Sequence, residues 1–305
     1  MVGKLKQGML AGRPFWHRNE TDFRVLKAEC HEEGIYRSET FALNDGDCVI
    51  DVGANLGGFL FQVASRVRHA RVVCFEPIPD TFTILQRNAK SCPHLDIQLE
   101  NVGLSDHSGL HDMAHFPLAS VNSTMYLDSS HDKRRNDRNF VFEEMRLRSR
   151  GFRMISNWIP RIVWLPIIEF LRLYHGRTTK VTCQFERLSD WIVQSNLERI
   201  DLLKIDVEGA EAKVLDGIDA EHWPRIQQVV METHSGEPDA IQLEDRLNQL
   251  GFETQRSLAI PCLDRVFMVY ATRVPRDPES RQSNEAESLR PHLAKFQQLS
   301  GSENR

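Results

Sequence analysis

The sequence lacks several features, and each absence removes a class of protein. It has no Cys-x-x-Cys pair: its six cysteines, Cys30, Cys48, Cys74, Cys92, Cys183 and Cys262, are scattered. That spacing argues against zinc and disulfides and for free thiols in a reducing compartment. It has no uncharged apolar run of about eighteen residues, the minimum for a spanning helix. The opening MVGKLKQGML has no apolar core of a secretory signal, so a cytoplasmic location is expected. It has no basic excess either. With 38 Lys and Arg against 43 Asp and Glu the net charge is −5, and no global field recruits nucleic acid. What remains is 305 residues, 41% apolar and 27% charged. That suits a soluble protein with one large α/β domain and an insertion.

Strand and helix signals alternate through most of the chain. Strands are predicted at 48–52, 71–75, 97–104, 202–205 and 226–231, with 252–257 and 265–271 as a closing antiparallel pair. Helices are predicted at 58–67, 80–89, 210–215 and 240–250. Residues 1–45 read as a lead-in with one or two helices, such as 21–30, and residues 273–305 as a loose polar tail. The domain proper is then 46–272. Strands separated by helices imply a mainly parallel sheet covered on both faces, with ligands outside the carboxyl ends of the strands.

The most specific stretch is VIDVGANLGG, Val49–Gly58. An apolar strand ends in Asp51, a turn with Gly53, Asn55 and Gly57 follows, and a helix begins. This geometry wraps a nucleotide-like ligand. In the dinucleotide pattern the second glycine admits a pyrophosphate; here that position is Asn55. A ligand without pyrophosphate fits better, and S-adenosylmethionine fits best, with its charged amino-acid end against Asp51 and the turn. Glu76 closes the next strand, where a carboxylate can accept hydrogen bonds from two ribose hydroxyls. As a bland alternative it is an acid favoured by a helix dipole. After the third strand, Ser105 or Asp106 could meet the adenine edge, or Asp106 could simply be a turn acid.

A second group lies further on. LLKIDVEGAE, Leu202–Glu211, places Asp206 and Glu208 where a strand meets a helix. Glu232 and His234 follow the next strand. Carboxylates and an imidazole at that edge are candidates for acid/base work, with His234 or Asp206 taking a proton from a positioned hydroxyl. Helix capping and plain solvation are the alternatives. Asp206, Glu208, Glu232 and His234 could also hold a divalent cation, which spacing does not decide; no metal is assigned on sequence grounds.

DVGANLGGF, CFEPIPDTF, NVGLSDHSG and LLKIDVEGAE, in that order, resemble the FkbM-type methyltransferases. The likeness spans roughly residues 35–125 and 180–272 and takes in the stretches 119–126 and 181–192. It implies an α/β, class I methyltransferase, Rossmann-like fold with a mainly parallel seven-stranded sheet, helices on both faces and a helical insertion. It implies S-adenosylmethionine as cofactor, bound by Asp51, Gly53, Asn55, Gly57 and Glu76, with Asp206–Glu208 beside the transferred methyl. The implied reaction is O-methylation of a small-molecule, sugar, glycan or polyketide-type hydroxyl. Two alternatives stand beside it: an NAD-linked oxidoreductase, disfavoured by Asn55 and by the lack of a Tyr-x-x-x-Lys pair, and a non-catalytic nucleoside-binding or membrane-associated scaffold.

The departure from that family is an insertion near 129–177. Residues 128–180 carry twelve basic and six acidic side chains, a charge of +6 against −11 for the remainder. Three readings of it stand open. It is a lid packing Trp158, Trp164, Phe170 and Tyr174 around the acceptor, a homodimer contact, or a peripheral membrane contact with basic residues at headgroups.

Overall fold

The computed structural model describes residues 4–30, 36, 40–115, 142, 145–146, 150–160, 162–167, 179–259 and 266–273. The stretch 119–126, Phe170, Tyr174, Cys262 and the tail from 274 lie outside these residues.

Five parallel strands form the centre: β3 (Cys48–Val52), β4 (Arg71–Phe75), β5 (Asp96–Glu100), β9 (Leu202–Ile205) and β10 (Gln228–Thr233). β12 (Phe267–Arg273) runs antiparallel to β10, and β11 (Phe252–Leu258) pairs antiparallel with β12. The seven-stranded order is β11-β12-β10-β9-β3-β4-β5. Chain order therefore reverses at β3, and the crevice at such a switch point is where open α/β sheets bind ligands. This is the class I methyltransferase arrangement the sequence implies.

The helices follow their strands: α2 (Gly58–Arg66), α3 (Pro79–Ala89), α5 (Leu188–Gln194), α6 (Glu211–Asp216) and α7 (Glu237–Gln249). Buried strand residues alternate between two apolar layers. Val49, Val72, Leu202 and Val230 pack on the side of α2 and α3. Ile50, Val73, Leu203 and Val229 pack on the other, with Leu188, Val214 and Leu243 from α5, α6 and α7. By the same alternation Asp51, Lys204, Asp206 and Glu232 all face the first layer's side.

Two expectations change. The strand predicted at 97–104 divides. β5 ends at Glu100, and Gly103–Leu104 form β6 in a separate three-stranded sheet with β7 (Gly109–His115) and β8 (Thr179–Glu186). Gly103 permits this, because a Cβ there would lie 2.2 Å from the Phe185 ring. The lead-in is not only helical. β1 (Lys6–Leu10) and β2 (Arg13–His17) form a hairpin through Ala11-Gly12, both at positive φ, before α1 (Glu20–Glu29). The buried Asn88 amide fixes this hairpin to α3, donating to Trp16 O and Leu56 O and accepting from Trp16 N. Of the four aromatic residues singled out in the insertion, Trp158 and Trp164 are among the described residues. α4 (Arg150–Ser156) precedes residues 162–167, also helical; Trp164 stacks edge-on with Phe152, whereas Trp158 is 89% exposed.

Cys30, Cys48, Cys74, Cys92 and Cys183 are free thiols. Among the described residues no helix is long and apolar enough to cross a membrane.

Candidate active site

A cleft opens at the carboxyl ends of β3, β4 and β9. It encloses about 600 Å3, its mouth included, within the range of small-molecule sites. Gly53 and Asn55 line it from the β3 turn, Glu76 and Ile78 from the β4 end, Gly103 and Leu104 from β6, and Asp206 and Glu208 from the β9 end.

Glu76 is the best-placed of the predicted cofactor residues. Its Oε2 accepts a hydrogen bond from Asn55 N at 3.0 Å and its Oε1 from Ile78 N at 2.9 Å. The carboxyl is buried, and burial pushes its pKa up to about 7 against the pull of those two N–H groups. A buried carboxylate with lone pairs to spare suits a ligand carrying hydroxyl donors. Asn101 braces the same loop by donating to Glu76 O.

The β3 turn is shaped by its neighbour rather than by a phosphate. Gly53 sits at φ 76°, and a Cβ there would stand 1.9 Å from Asp206 O. The glycine therefore lets the β3 and β9 loops touch. Asn55 takes a left-handed conformation at φ 49°, which asparagine tolerates. Gly57, at φ 92°, is the N-cap of α2 and lies outside the cleft lining.

Asp51 is held inside the sheet. It is wholly buried and does not line the cleft. The register pairs it with Lys204, and Lys204 Nζ stands 2.9 Å from Asp51 Oδ1. Lys204 also donates to Gly53 O at 3.1 Å. Burial opposes the charged ammonium, but Asp51 and then Asp206 outweigh it and hold the Lys204 pKa above its usual value. Asp51 thus anchors a lysine that ties the glycine turn to β9. Ser105 and Asp106 also stand outside the lining. The Ser105 hydroxyl is buried and donates to Asp106 Oδ1, while Asp106 pairs with His107 at 2.7 Å. The short β6 places Gly103 and Leu104 at the cleft instead.

Beyond Asp206 the predicted catalytic group does assemble. Parallel register sets Met231 beside Ile205, so the next positions bring Glu232 and Asp206 together. His234 lies two residues on, on the same side. Its Nε2 is 3.4 Å from Glu232 and 3.7 Å from Glu208, and its Nδ1 is 3.6 Å from Glu211. One ligand atom each from Asp206, Glu232 and His234 lies within 4.8 Å of the others. Burial alone would discharge the imidazole, but Glu208, with Glu211 and Glu232, holds its pKa well above the ordinary value. That field favours positive charge at the ring, and the neighbouring carboxylates stand beside His234 as candidates for the base. Burial and then Glu232 push Asp206 up to about 7, and Glu208 sits at φ 53°, a strained conformation directed at the cleft.

Two further groups within the field of this cluster escaped sequence reasoning. Glu29 of α1 is one: burial, then Glu232 and Asp206, push its carboxyl well up. Tyr36 is buried over the Phe59 ring, and its phenol pKa rises through burial and then Asp206. Neither lies in a motif. The signal available was the 3.6-residue spacing of Phe23, Leu26 and Cys30, which seats α1 against the domain.

A family model for the methyltransferase FkbM domain matches residues 51–254. The methyltransferase sdnD of Sordaria araneosa is 32% identical over 236 residues, which cover 74% of this chain and 81% of that protein. The 31-O-demethyl-FK506 methyltransferase FkbM of Streptomyces tacrolimicus is 31% identical over 220 residues, covering 72% and 77%. A crystal structure of methyltransferase FkbM from Methylobacillus flagellatus aligns with a TM-score of 0.41 and 14% identity, over 82% of this chain and 55% of that one. Membership sets aside the oxidoreductase alternative. From the glycine turn to β11, this chain belongs to the FkbM family of S-adenosylmethionine-dependent methyltransferases.

Proposed function

We propose that the protein is an O-methyltransferase acting on a hydroxyl of a small natural product or glycan. The observation that carries this reading is the position of Asp206 and Glu208 in the same cleft as Glu76. When bound, S-adenosylmethionine supplies a methyl group on a sulfonium sulfur. Glu76 would hold the ribose hydroxyls, and the Gly53 and Asn55 turn would lie along the nucleoside. Methylating a hydroxyl releases one proton, and this edge of the cleft provides carboxylates to take it. The protein's other task is positioning, which turns a bimolecular encounter into an oriented one. The name of the Streptomyces relative, which specifies a 31-O position, agrees with oxygen as the acceptor atom.

The test has two parts. Calorimetry with S-adenosylhomocysteine should show binding that Glu76→Ala removes. Incubation of a cell extract with the protein and a 13C-methyl donor should give a product whose label NMR places on oxygen. No binding at millimolar ligand would refute the donor site, and label on nitrogen, carbon or sulfur would refute O-methylation.

A further inference from the structure

We propose that Asp206, Glu232 and His234 form a divalent metal site, of the Mn2+ or Mg2+ class, beside the donor cleft. The sequence-based reading assigns no metal; the geometry departs from it. One donor atom from each residue falls within 4.8 Å of the others. Ligands bonded to one ion at about 2.0–2.4 Å stand at most about 4–4.8 Å apart. The three donors therefore fit around one centre with the backbone as it stands.

The backbone explains why they converge. β9 and β10 are adjacent and parallel, so Asp206 and Glu232 leave the sheet side by side, and His234 repeats the Glu232 direction. The imidazole adds a second observation. It is 9% exposed, and its Nδ1 has no hydrogen-bond partner. The nearest oxygen to Nε2 is Glu232 at 3.4 Å, with Glu208 at 3.7 Å. The nitrogen facing the cluster is Nε2, and an ion between it, Asp206 and Glu232 would take its lone pair and leave Nδ1 toward Glu211.

The surroundings match a supported metal ligand. Metal-bound histidines present their other nitrogen to a carboxylate that orients the ring. Here Glu211 Oε1 stands 3.6 Å from Nδ1, and Gly209 N in turn donates to Glu211 Oε1 at 2.8 Å. Charge points the same way. The nearby cation, Lys204, is committed to Asp51 and Gly53 O, and it is 3.7 Å from Asp206. Two carboxylates with one imidazole and no thiolate favour Mn2+ or Mg2+ over a soft metal.

The site's use rests on the O-methyl reading. An acceptor hydroxyl coordinated to the ion has a weakened O–H bond. Its proton would pass to Glu208, and the oxygen would keep the electron pair with which it takes the methyl group.

The experiment titrates Mn2+ into the full chain without donor or acceptor, followed by electron paramagnetic resonance and calorimetry. One saturable site is expected. Asp206→Asn and Glu232→Gln should each weaken it about tenfold or more. Glu232→Gln should still bind S-adenosylhomocysteine within about twofold, and Asp206→Asn should keep a cooperative thermal melt, which shows that both fold. Glu76→Ala should do the reverse, losing S-adenosylhomocysteine and keeping Mn2+. Absence of Mn2+ and Mg2+ binding at millimolar concentration, or equal Mn2+ binding by wild type and both variants, overturns the site. Intact Mn2+ binding with no S-adenosylhomocysteine binding would instead overturn the methyltransferase reading alone.

Discussion

Replacing Glu76 by glutamine should weaken the donor site and leave the empty protein no less stable at high pH. The carboxyl is buried, with a pKa of about 7 against an ordinary value near 4.5. A carboxyl whose folded pKa is raised binds its proton more tightly when folded. Its contribution to stability is full below the unfolded pKa and is lost as pH rises through the folded one. The 2.5-unit difference corresponds to about 3 kcal/mol lost above pH 7. Glu76→Gln has no charge to bury, although its amide can accept from only one of the Asn55 and Ile78 N–H groups. Orphaning the other N–H costs about 1–3 kcal/mol. Above pH 7 the two effects roughly cancel or favour the variant; near pH 5 only the loss remains. Binding moves the opposite way. Exchanging charge-assisted hydrogen bonds to two ribose hydroxyls for at best one neutral bond costs about 2–4 kcal/mol, a roughly 30- to 700-fold loss of affinity. In wild type, S-adenosylhomocysteine should bind more tightly as pH rises through 7, by up to about tenfold per unit below it. Calorimetry across that range, with thermal melts of the empty protein, tests both. A pH-independent wild-type affinity, or a variant whose affinity tracks wild type, would refute the assigned role.

Other consequences follow from the same geometry. Lys204→Met leaves Asp51 buried without its cation and should cost about 3–5 kcal/mol in denaturant unfolding. Asp51→Asn with Lys204→Met should recover much of that loss, and strictly additive losses would count against the pair. Gly53→Ala, with a Cβ 1.9 Å from Asp206 O, should lower the melting temperature and weaken S-adenosylhomocysteine, and wild-type behaviour in both would dismiss the close approach. Six large apolar residues between 154 and 167 are exposed: Met154, Ile155, Trp158, Ile162, Val163 and Ile167. With seven arginines and one glutamate in residues 145–178, the protein should float with anionic vesicles and less with neutral ones. Trp158→Glu with Ile162→Glu should abolish flotation; unchanged flotation would exclude this surface.

The sheet was legible because its strands are short apolar runs ending in acids or glycines. Cys48–Val52, Arg71–Phe75 and Leu202–Ile205 stand as predicted. The β5–β6 break was not legible. Ile97 to Leu104 reads as one extended run, and what divides it is a contact with Phe185 more than eighty residues away. The hairpin at Lys6–His17 was missed for the opposite reason: its apolar alternation is weak, and only the Ala11-Gly12 turn marks it.

The same distinction separates what could be known of the site. Spacing put Asp51, Glu76, Asp206 and His234 at strand ends, but it could not say which of them face the cleft. That depends on pairing between strands. Asp51 lies beside Lys204 because β3 and β9 are neighbours, although 153 positions separate the two residues. An acid that looks like a ligand contact in the motif therefore also faces an internal cation. Glu29 shows the converse. It lies before the segment the family model matches, in no motif, yet it shares the field of Asp206 and Glu232. If α1 completes the reaction edge, the domain alone is an incomplete site. Removing residues 1–30 should then expose the Asp206–His234 cluster while leaving the Glu76 side of the cleft in place. S-adenosylhomocysteine affinity that survives the truncation, with methyl transfer lost, would assign α1 to the acceptor side. Affinity and transfer lost together, from a folded protein, would show that α1 serves the donor site instead.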